Sequence, residues 1–212
     1  MTDKNEHNIA NETKWSRRAD TYDDKRFNYF RFMQKELISI IQPKPNIKFL
    51  DLGCGTGWAV CYVANSVNGK GKFIGVDISK KMIEKAKINA TDIKNVEFYE
   101  NSVDNLPIKD NYIDIAICSN SFHHYLYPNK VLNEIKRVLR PNGTINILDI
   151  TADDFFIRWI DRNTKRREKE HVQFYGTEDY ARMFQQAGLR HIQSKRVKIF
   201  YPLKIHIGKK EI

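Results

Sequence analysis

Cysteine is scarce in this chain. Its 212 residues include three, Cys54, Cys61 and Cys118, an odd number with no Cys-x-x-Cys pair, which excludes a disulfide framework and a cysteine-based metal site. Long apolar runs are missing as well, and none approaches the ~18 residues that a membrane-spanning helix needs. The opening string MTDKNEHNIANETKW has no apolar core and does not read as a signal peptide. There is no internal repeat and no low-complexity segment. With 41% hydrophobic and 29% charged residues, the expectation is a soluble, cytoplasmic, single-domain protein with a buried core.

Negative charge is in deficit, and the deficit is uneven. The net charge is +10, and residues 151–212 carry 14 Lys and Arg against 8 Asp and Glu, whereas residues 49–150 carry 12 against 11. A basic flank suits an acidic substrate, a membrane surface or RNA. A solvated lysine-rich surface explains the same excess without a partner.

The middle of the chain alternates strand and helix. Strands are expected at 48–53, 73–78, 96–99, 113–119 and 144–150, each a short apolar run. Helices are expected at 58–67 and 80–90, the second capped by Ser79, and from Pro128 to about Leu139. Residues 140–143, RPNG, read as the turn that follows. Beyond Ile150 come helices at about 153–169 and 177–187 and an edge pair of strands at about 190–197 and 199–207. Such βα alternation implies a parallel sheet covered on both faces.

The strongest motif is DLGCGTG, with Asp51, Gly53, Gly55 and Gly57, at the end of the first strand. Glycine lets the backbone turn sharply and pass close to a ligand. The spacing is not the G-x-G-x-x-G of a dinucleotide loop, because Trp58 fills the place after Gly57. Asp51 would repel a pyrophosphate and suits a cationic ligand instead. Asp77 ends the second strand, where doubly wound folds place an acid that takes ribose hydroxyls.

With these motifs on the page, residues 48–150 resemble the class I S-adenosylmethionine-dependent methyltransferases, and most closely the type-11 group that includes ubiquinone and menaquinone biosynthesis methyltransferases. The strings that carry the resemblance are FLDLGCGTG, FIGVDISKKMIEKAK, ENSVDNLPIKDNYIDIAICSNSFHHY and VLNEIKRVLRPNGTINILDI. HVQFYGTEDYARMFQQAGL and the Trp15–Asp23 lead-in match more weakly. The resemblance implies a Rossmann-like α/β fold, a doubly wound seven-stranded sheet, mostly parallel with an antiparallel final strand. It also implies S-adenosyl-L-methionine across the strand ends, with S-adenosyl-L-homocysteine as product. By position, Gly53, Gly55 and Gly57 would pass under the methionine moiety, Asp51 would help hold that end, and Asp77 would bind the ribose. Ser102 and Val103 would flank the adenine, Ser119 and Asn120 would line the site, and Tyr22 and Ile78 join the cofactor set. The family usually has Gly-Asp-Ala where this chain has Asn101, Ser102 and Val103. Exchanging a carboxylate for a hydroxyl weakens the adenine contact by roughly 1–2 kcal/mol.

Methyl transfer from a sulfonium is an in-line displacement, so alignment supplies most of the catalysis. A base is needed only when the acceptor loses a proton, and His123 and His124 after the fourth strand are the candidates, with His171 a third. Each also reads as a structural histidine. Cys118 lies within an apolar strand without the Pro-Cys or Thr-Cys pair of nucleophilic pyrimidine methylation, and the Pro-Pro-Tyr string of nucleobase amino methylation is missing. No metal is expected, since no ligand run has metal spacing. Residues 1–47 read as a helical lead-in or lid, and 48–212 as the methyltransferase domain with a helical insertion at about 153–175. Tyr22, Phe27, Tyr29, Phe30 and Phe32 in the first, and Phe155, Phe156, Trp159, Phe174 and Tyr175 in the second, would frame an acceptor pocket. Lys165, Arg166 and Arg167 would face an anionic acceptor or only solvent. Three readings result: a small-molecule methyltransferase, an RNA methyltransferase, or a cofactor-binding protein without turnover.

Overall fold

A computed structural model describes residues 4–23, 28–168, 170–197 and 202–212. Two helices, α1 (Lys4–Arg18) and α2 (Asn28–Ile41), precede the alternating unit. It runs β1 (Ile47–Leu52), α3 (Trp58–Ser66), β2 (Gly71–Asp77), α4 (Lys80–Asn89), β3 (Val96–Glu100) and β4 (Ile113–Ser119). A single 3₁₀ turn (Phe122–His124), α5 (Pro128–Val138), β5 (Leu139–Ile150), α6 (Phe155–Arg167), α7 (Thr177–Gln186), β6 (Arg190–Arg196) and β7 (Leu203–Lys209) complete it.

These elements follow from local chemistry. In β1 and β4 nearly every residue is buried, as strands covered on both faces require. Ser79 caps α4 by accepting the Met82 amide at 3.3 Å, and Pro128 opens α5, whose Val131, Leu132, Ile135 and Val138 are buried at helical spacing. Asp154 caps α6 by accepting the Ile157 amide at 2.9 Å.

The seven strands form one sheet in the order β3-β2-β1-β4-β5-β7-β6. Only β7 runs against the rest: it pairs antiparallel with both β5 and β6, and the other pairs are parallel. Phe122, Tyr180 and Phe184 anchor the core beneath α5 and α7, and Met33, Leu37, Phe49 and Phe73 anchor the opposite core beneath α2 and α3. Burying such a side chain is worth roughly 1.5–3 kcal/mol. The strand order reverses between β1 and β4, which opens a crevice at their C-terminal ends.

Two expectations need correcting. Residues 140–143 do not end the helix in a free turn; they bulge inside β5. Leu139 pairs with Ile113 and Thr144 with Ile115, so residues 140–143 stand opposite Asp114 alone and three extra residues loop out, with Asn142 at φ 68°. The bulge is held because the Asn142 amide donates to the Lys210 carbonyl at 2.9 Å and Lys210 Nζ donates to the carbonyls of Lys136 and Leu139, each at 2.8 Å. The last expected strand begins later, at Leu203, and its positions 199–201, like Lys169 at the end of the expected helix, lie outside the described residues.

The candidate cofactor and acceptor site

At the β1/β4 switch point lies an open cavity with about 870 Å³ of empty space, its solvent-filled mouth included. Gly53 and Gly55 line it with their backbones at φ 69° and 54°. A Cβ on Gly53 would overlap the Ser121 hydroxyl, and one on Gly55 would stand 3.4 Å from the Tyr22 ring. Gly57, expected under the same ligand, is outside the lining. It starts α3 at φ 78°, and a Cβ there would lie 2.7 Å from Phe98. Backbone conformation and packing both require glycine there.

Asp77 is buried and lines the cavity. Its Oδ2 accepts the Gly55 amide and its Oδ1 the Ser79 amide, both at 2.9 Å. Burial pushes its carboxyl up, and the amides of Ser79, Gly55 and Ile78 offset part of that. Asp51 stands behind the glycine loop, outside the lining and 1% exposed, and neither of its oxygens has a hydrogen-bond partner. Burial, and then the charge of Asp77, raises it well above the usual carboxylate range. The crevice floor thus holds two buried acids with no cation against them among the described residues. Such a floor attracts a positively charged ligand.

Tyr22, Ile78, Ser102, Val103, Ser119 and Asn120 all line the cavity. Burial raises the Tyr22 hydroxyl far above its ordinary value. Asp104 is the residue that the sequence reading missed. It lines the same wall, where Ser102 Oγ donates to its Oδ1 at 2.6 Å and Lys4 Nζ lies 2.6 Å from its Oδ2. Burial works against its charge, but the bonds from Lys4 and Ser102 prevail and hold the carboxyl below its usual range. A carboxylate thus stands two residues on from Ser102. Trp15, His7 and Asn11 of α1 close the wall opposite, with the Trp15 and Tyr22 rings 6.2 Å apart.

The two candidate bases separate. His124 lines the cavity and His123 does not. His124 Nδ1 is 2.9 Å from the Glu170 carbonyl, and its own carbonyl takes His7 Nε2 at 2.7 Å. Burial, and then His123, depresses the His124 imidazole well below its usual pKa. His123 instead faces Asp149, with Nδ1 on Oδ1 at 2.7 Å and its amide on Oδ2 at 3.0 Å. His171 Nε2 lies 2.7 Å from Asp161 Oδ1, and burial keeps its pKa low too. Burial likewise raises the Cys118 thiol, which keeps it protonated and inert.

The second aromatic cluster does not assemble. Phe155, Phe156 and Trp159 are 83%, 64% and 53% exposed, whereas Tyr175 belongs to the main core and Phe174 packs with Ala152 and Ile157. In the first cluster Tyr22 stacks on Phe30 at 6.0 Å, Tyr29 and Phe32 are exposed, and Phe27 lies outside the described residues. Lys165 is paired with Asp161 at 3.1 Å.

The strand order, the lone antiparallel β7 and the glycine-loop cavity at the switch point define a class I methyltransferase fold. Residues 43–188 match the family described as Methyltransferase domain, and the chain belongs to it, as an S-adenosylmethionine-dependent methyltransferase. It is 28% identical over 210 residues to demethylmenaquinone methyltransferase of Bacillus cereus (strain AH187), a match covering 87% of this chain and 86% of that one. It is 30% identical over 142 residues to an uncharacterized 37.1 kDa protein in transposon TN4556 of Streptomyces fradiae, of which it spans only 41%, with 67% of this chain matched. In fold it is similar to a chain of the complex between the Haloferax volcanii Trm112 methyltransferase activator and a methyltransferase. That likeness has a TM-score of 0.81 at 19% identity and covers 93% of this chain and 98% of that chain. No helix among the described residues is long and apolar enough to cross a membrane.

Proposed function

We propose that the chain methylates a compact small molecule, and that the switch-point cavity seats both S-adenosylmethionine and the acceptor. The observation that carries this reading is the orphaned Asp51 carboxyl beside Asp77, two buried acids that no cation opposes among the described residues. Bound there, the cofactor supplies an electrophilic methyl group on a positively charged sulfur, with an ammonium at its methionine end.

The residues divide that task. Asp51 compensates the ammonium from behind the loop, and the backbones of Gly53 and Gly55 allow close approach. Asp77, fixed by two amides, keeps lone pairs for the ribose hydroxyls. Ser102, Val103 and the missed Asp104 stand at the adenine end. Ile78, Tyr22, Ser119 and Asn120 complete the walls. Helix α1 acts as a cap: Trp15, His7 and Asn11 exclude water and hold the acceptor in line. Where the acceptor must lose a proton, His124 is the uncharged imidazole at the wall that can take it.

The lining mixes aromatic rings with a few placed polar groups, as small-molecule sites do. In the basic C-terminal third, Lys204, Arg190 and Arg182 are ion-paired with Asp153, Glu211 and Asp179. The similarity to demethylmenaquinone methyltransferase makes a quinol-like acceptor the first to test. The test is transfer of a labelled methyl group to a panel of such molecules and, in parallel, to total tRNA and rRNA fragments at low salt and at about 150 mM salt, where non-specific phosphate contacts weaken steeply. Label in a small molecule is expected. Label confined to RNA at the higher salt would overturn the reading.

A further inference from the structure

The three histidines beside the acceptor end have more in common than one base requires. His123 and His124 come from the turn after β4, and His171 from the segment after α6, yet one ring nitrogen of each lies within 4.8 Å of the others. His124 and His171 are buried and His123 is nearly so. The backbone fixes the approach of the two segments, because the amides of Val172 and Gln173 both donate to the His123 carbonyl, at 3.0 and 3.2 Å.

Each ring is held by an acceptor on one nitrogen only: His123 Nδ1 by Asp149, His124 Nδ1 by the Glu170 carbonyl, and His171 Nε2 by Asp161. The acceptors are themselves fixed. Asp149 Oδ1 also takes the Ile150 amide at 2.9 Å, and Asp161 Oδ1 takes the Phe174 amide at 2.7 Å. A proton placed toward each acceptor leaves the lone pair on the other nitrogen. Among the described residues no hydrogen bond falls on His123 Nε2, His124 Nε2 or His171 Nδ1. None of these three nitrogens is both sealed from water and unpartnered, so a cation from solution can reach them. An imidazole whose other nitrogen is tied to a carboxylate or carbonyl is also the usual form of a metal-ligating histidine.

We propose that His123, His124 and His171 form a three-histidine site for a divalent transition-metal ion, Zn²⁺ in the first instance. Neutral imidazole donors favour Zn²⁺ and its neighbours over Mg²⁺ and Ca²⁺, which take oxygen. Tetrahedral bonds of about 2.0–2.1 Å need nitrogens roughly 3.3 Å apart, so the rings close by at most about 1.5 Å on binding. Three protein ligands leave a fourth position open, as catalytic zinc sites do. The rings of Phe174 and His171 lie 4.4 Å apart and those of Phe174 and His123 5.1 Å apart, so Phe174 shields one side, and His124 reaches the cavity on the other. A metal-bound His124 has no lone pair left for an acceptor proton, so ligand and base are exclusive roles and metal binding decides between them. The cofactor reading at Asp51 and Asp77 is unaffected either way.

The test uses the untagged, metal-stripped chain without cofactor, titrated with Co²⁺ as a visible-absorbing probe and then with Zn²⁺ as competitor. Saturation at one Co²⁺ per chain is expected, with bands of four- or five-coordinate ion that Zn²⁺ abolishes and Mg²⁺ does not. His171→Ala should weaken binding by 100-fold or more, Asp161→Asn by about 10–100-fold, and His191→Ala, outside the cluster, should leave it unchanged. No saturable binding, or equal binding by His171→Ala, overturns the proposal. Should that variant not fold, ring ¹⁵N shifts of the wild-type chain decide. Zn²⁺-induced shifts confined to His123, His124 and His171 support the site, and shifts confined to His7, His191 and His206 overturn it.

Discussion

The two sides of the cavity are built on different principles. On the β1/β2 side, Gly53, Gly55 and Asp77 come from two neighbouring βα units, and backbone amides position the acid. Asp77 is clamped by Gly55 and Ser79. On the β4 side, the groups come from distant segments and side chains do the positioning, His123 through Asp149 and His171 through Asp161. The first side gives a seat of fixed shape, suited to one invariant cofactor. The second is a surface that a few substitutions re-tailor, suited to an acceptor that differs from one methyltransferase to the next.

The glycines test the first side most severely. Gly57→Ala should cost about 2–4 kcal/mol of stability, since positive φ and overlap with Phe98 act together. Gly55→Ala has room beside Tyr22 and should cost only about 1–2 kcal/mol from its backbone conformation, with loss of cofactor affinity as its main effect. Urea unfolding and calorimetry on both variants separate packing from binding. Equal losses of stability would erase the distinction.

A smaller effect is expected at the adenine end. Asp104→Asn should weaken cofactor binding by about 10-fold, or roughly 1.4 kcal/mol, because it removes the charge that Ser102 and Lys4 support. Calorimetry showing an unchanged affinity would mean that Asp104 serves only to anchor α1 through Lys4.

Another effect, spread over several pH units, lies away from the cavity, where His206 stacks on Tyr180 with ring centroids 3.8 Å apart. Burial depresses its pKa to about 3. The unfolded chain takes a proton there near pH 6.5 and the folded chain does not, so stability falls as pH drops from about 6.5 toward 3, by up to about 1.4 kcal/mol per pH unit from this one group. His206→Gln should flatten that slope in urea unfolding across pH 4–6. An unaltered slope would assign the acid sensitivity elsewhere.

The same contrast governs how much was legible in the sequence. DLGCGTG and Asp77 were readable because their chemistry is local: positive φ demands glycine, and one βα unit fixes the spacing to the acid. The sheet was readable because buried strands are apolar throughout. The packing demand at Gly57 was not legible, since its neighbours Phe98 and Ala86 sit on other elements. Asp104 was invisible because its place in the wall depends on a side-chain bond to Ser102 and on Lys4, far back in the chain. The aromatics of α6 suggested a lid, but that helix docks through Ile157 and Asp161 and leaves Phe155, Phe156 and Trp159 outside. The histidine cluster has no motif spacing at all, because the path of the chain after α6 is what brings His171 to His123 and His124.

The buried acids at the switch point as the cofactor's seat are tested most directly by calorimetric titration of S-adenosylmethionine into the wild-type chain and Asp77→Ala, with circular dichroism to verify folding. Saturable one-to-one binding by the wild type is expected, with an affinity about 100-fold or more lower in the folded variant, a difference of roughly 2.7 kcal/mol. Equal affinity in a folded Asp77→Ala protein would contradict it.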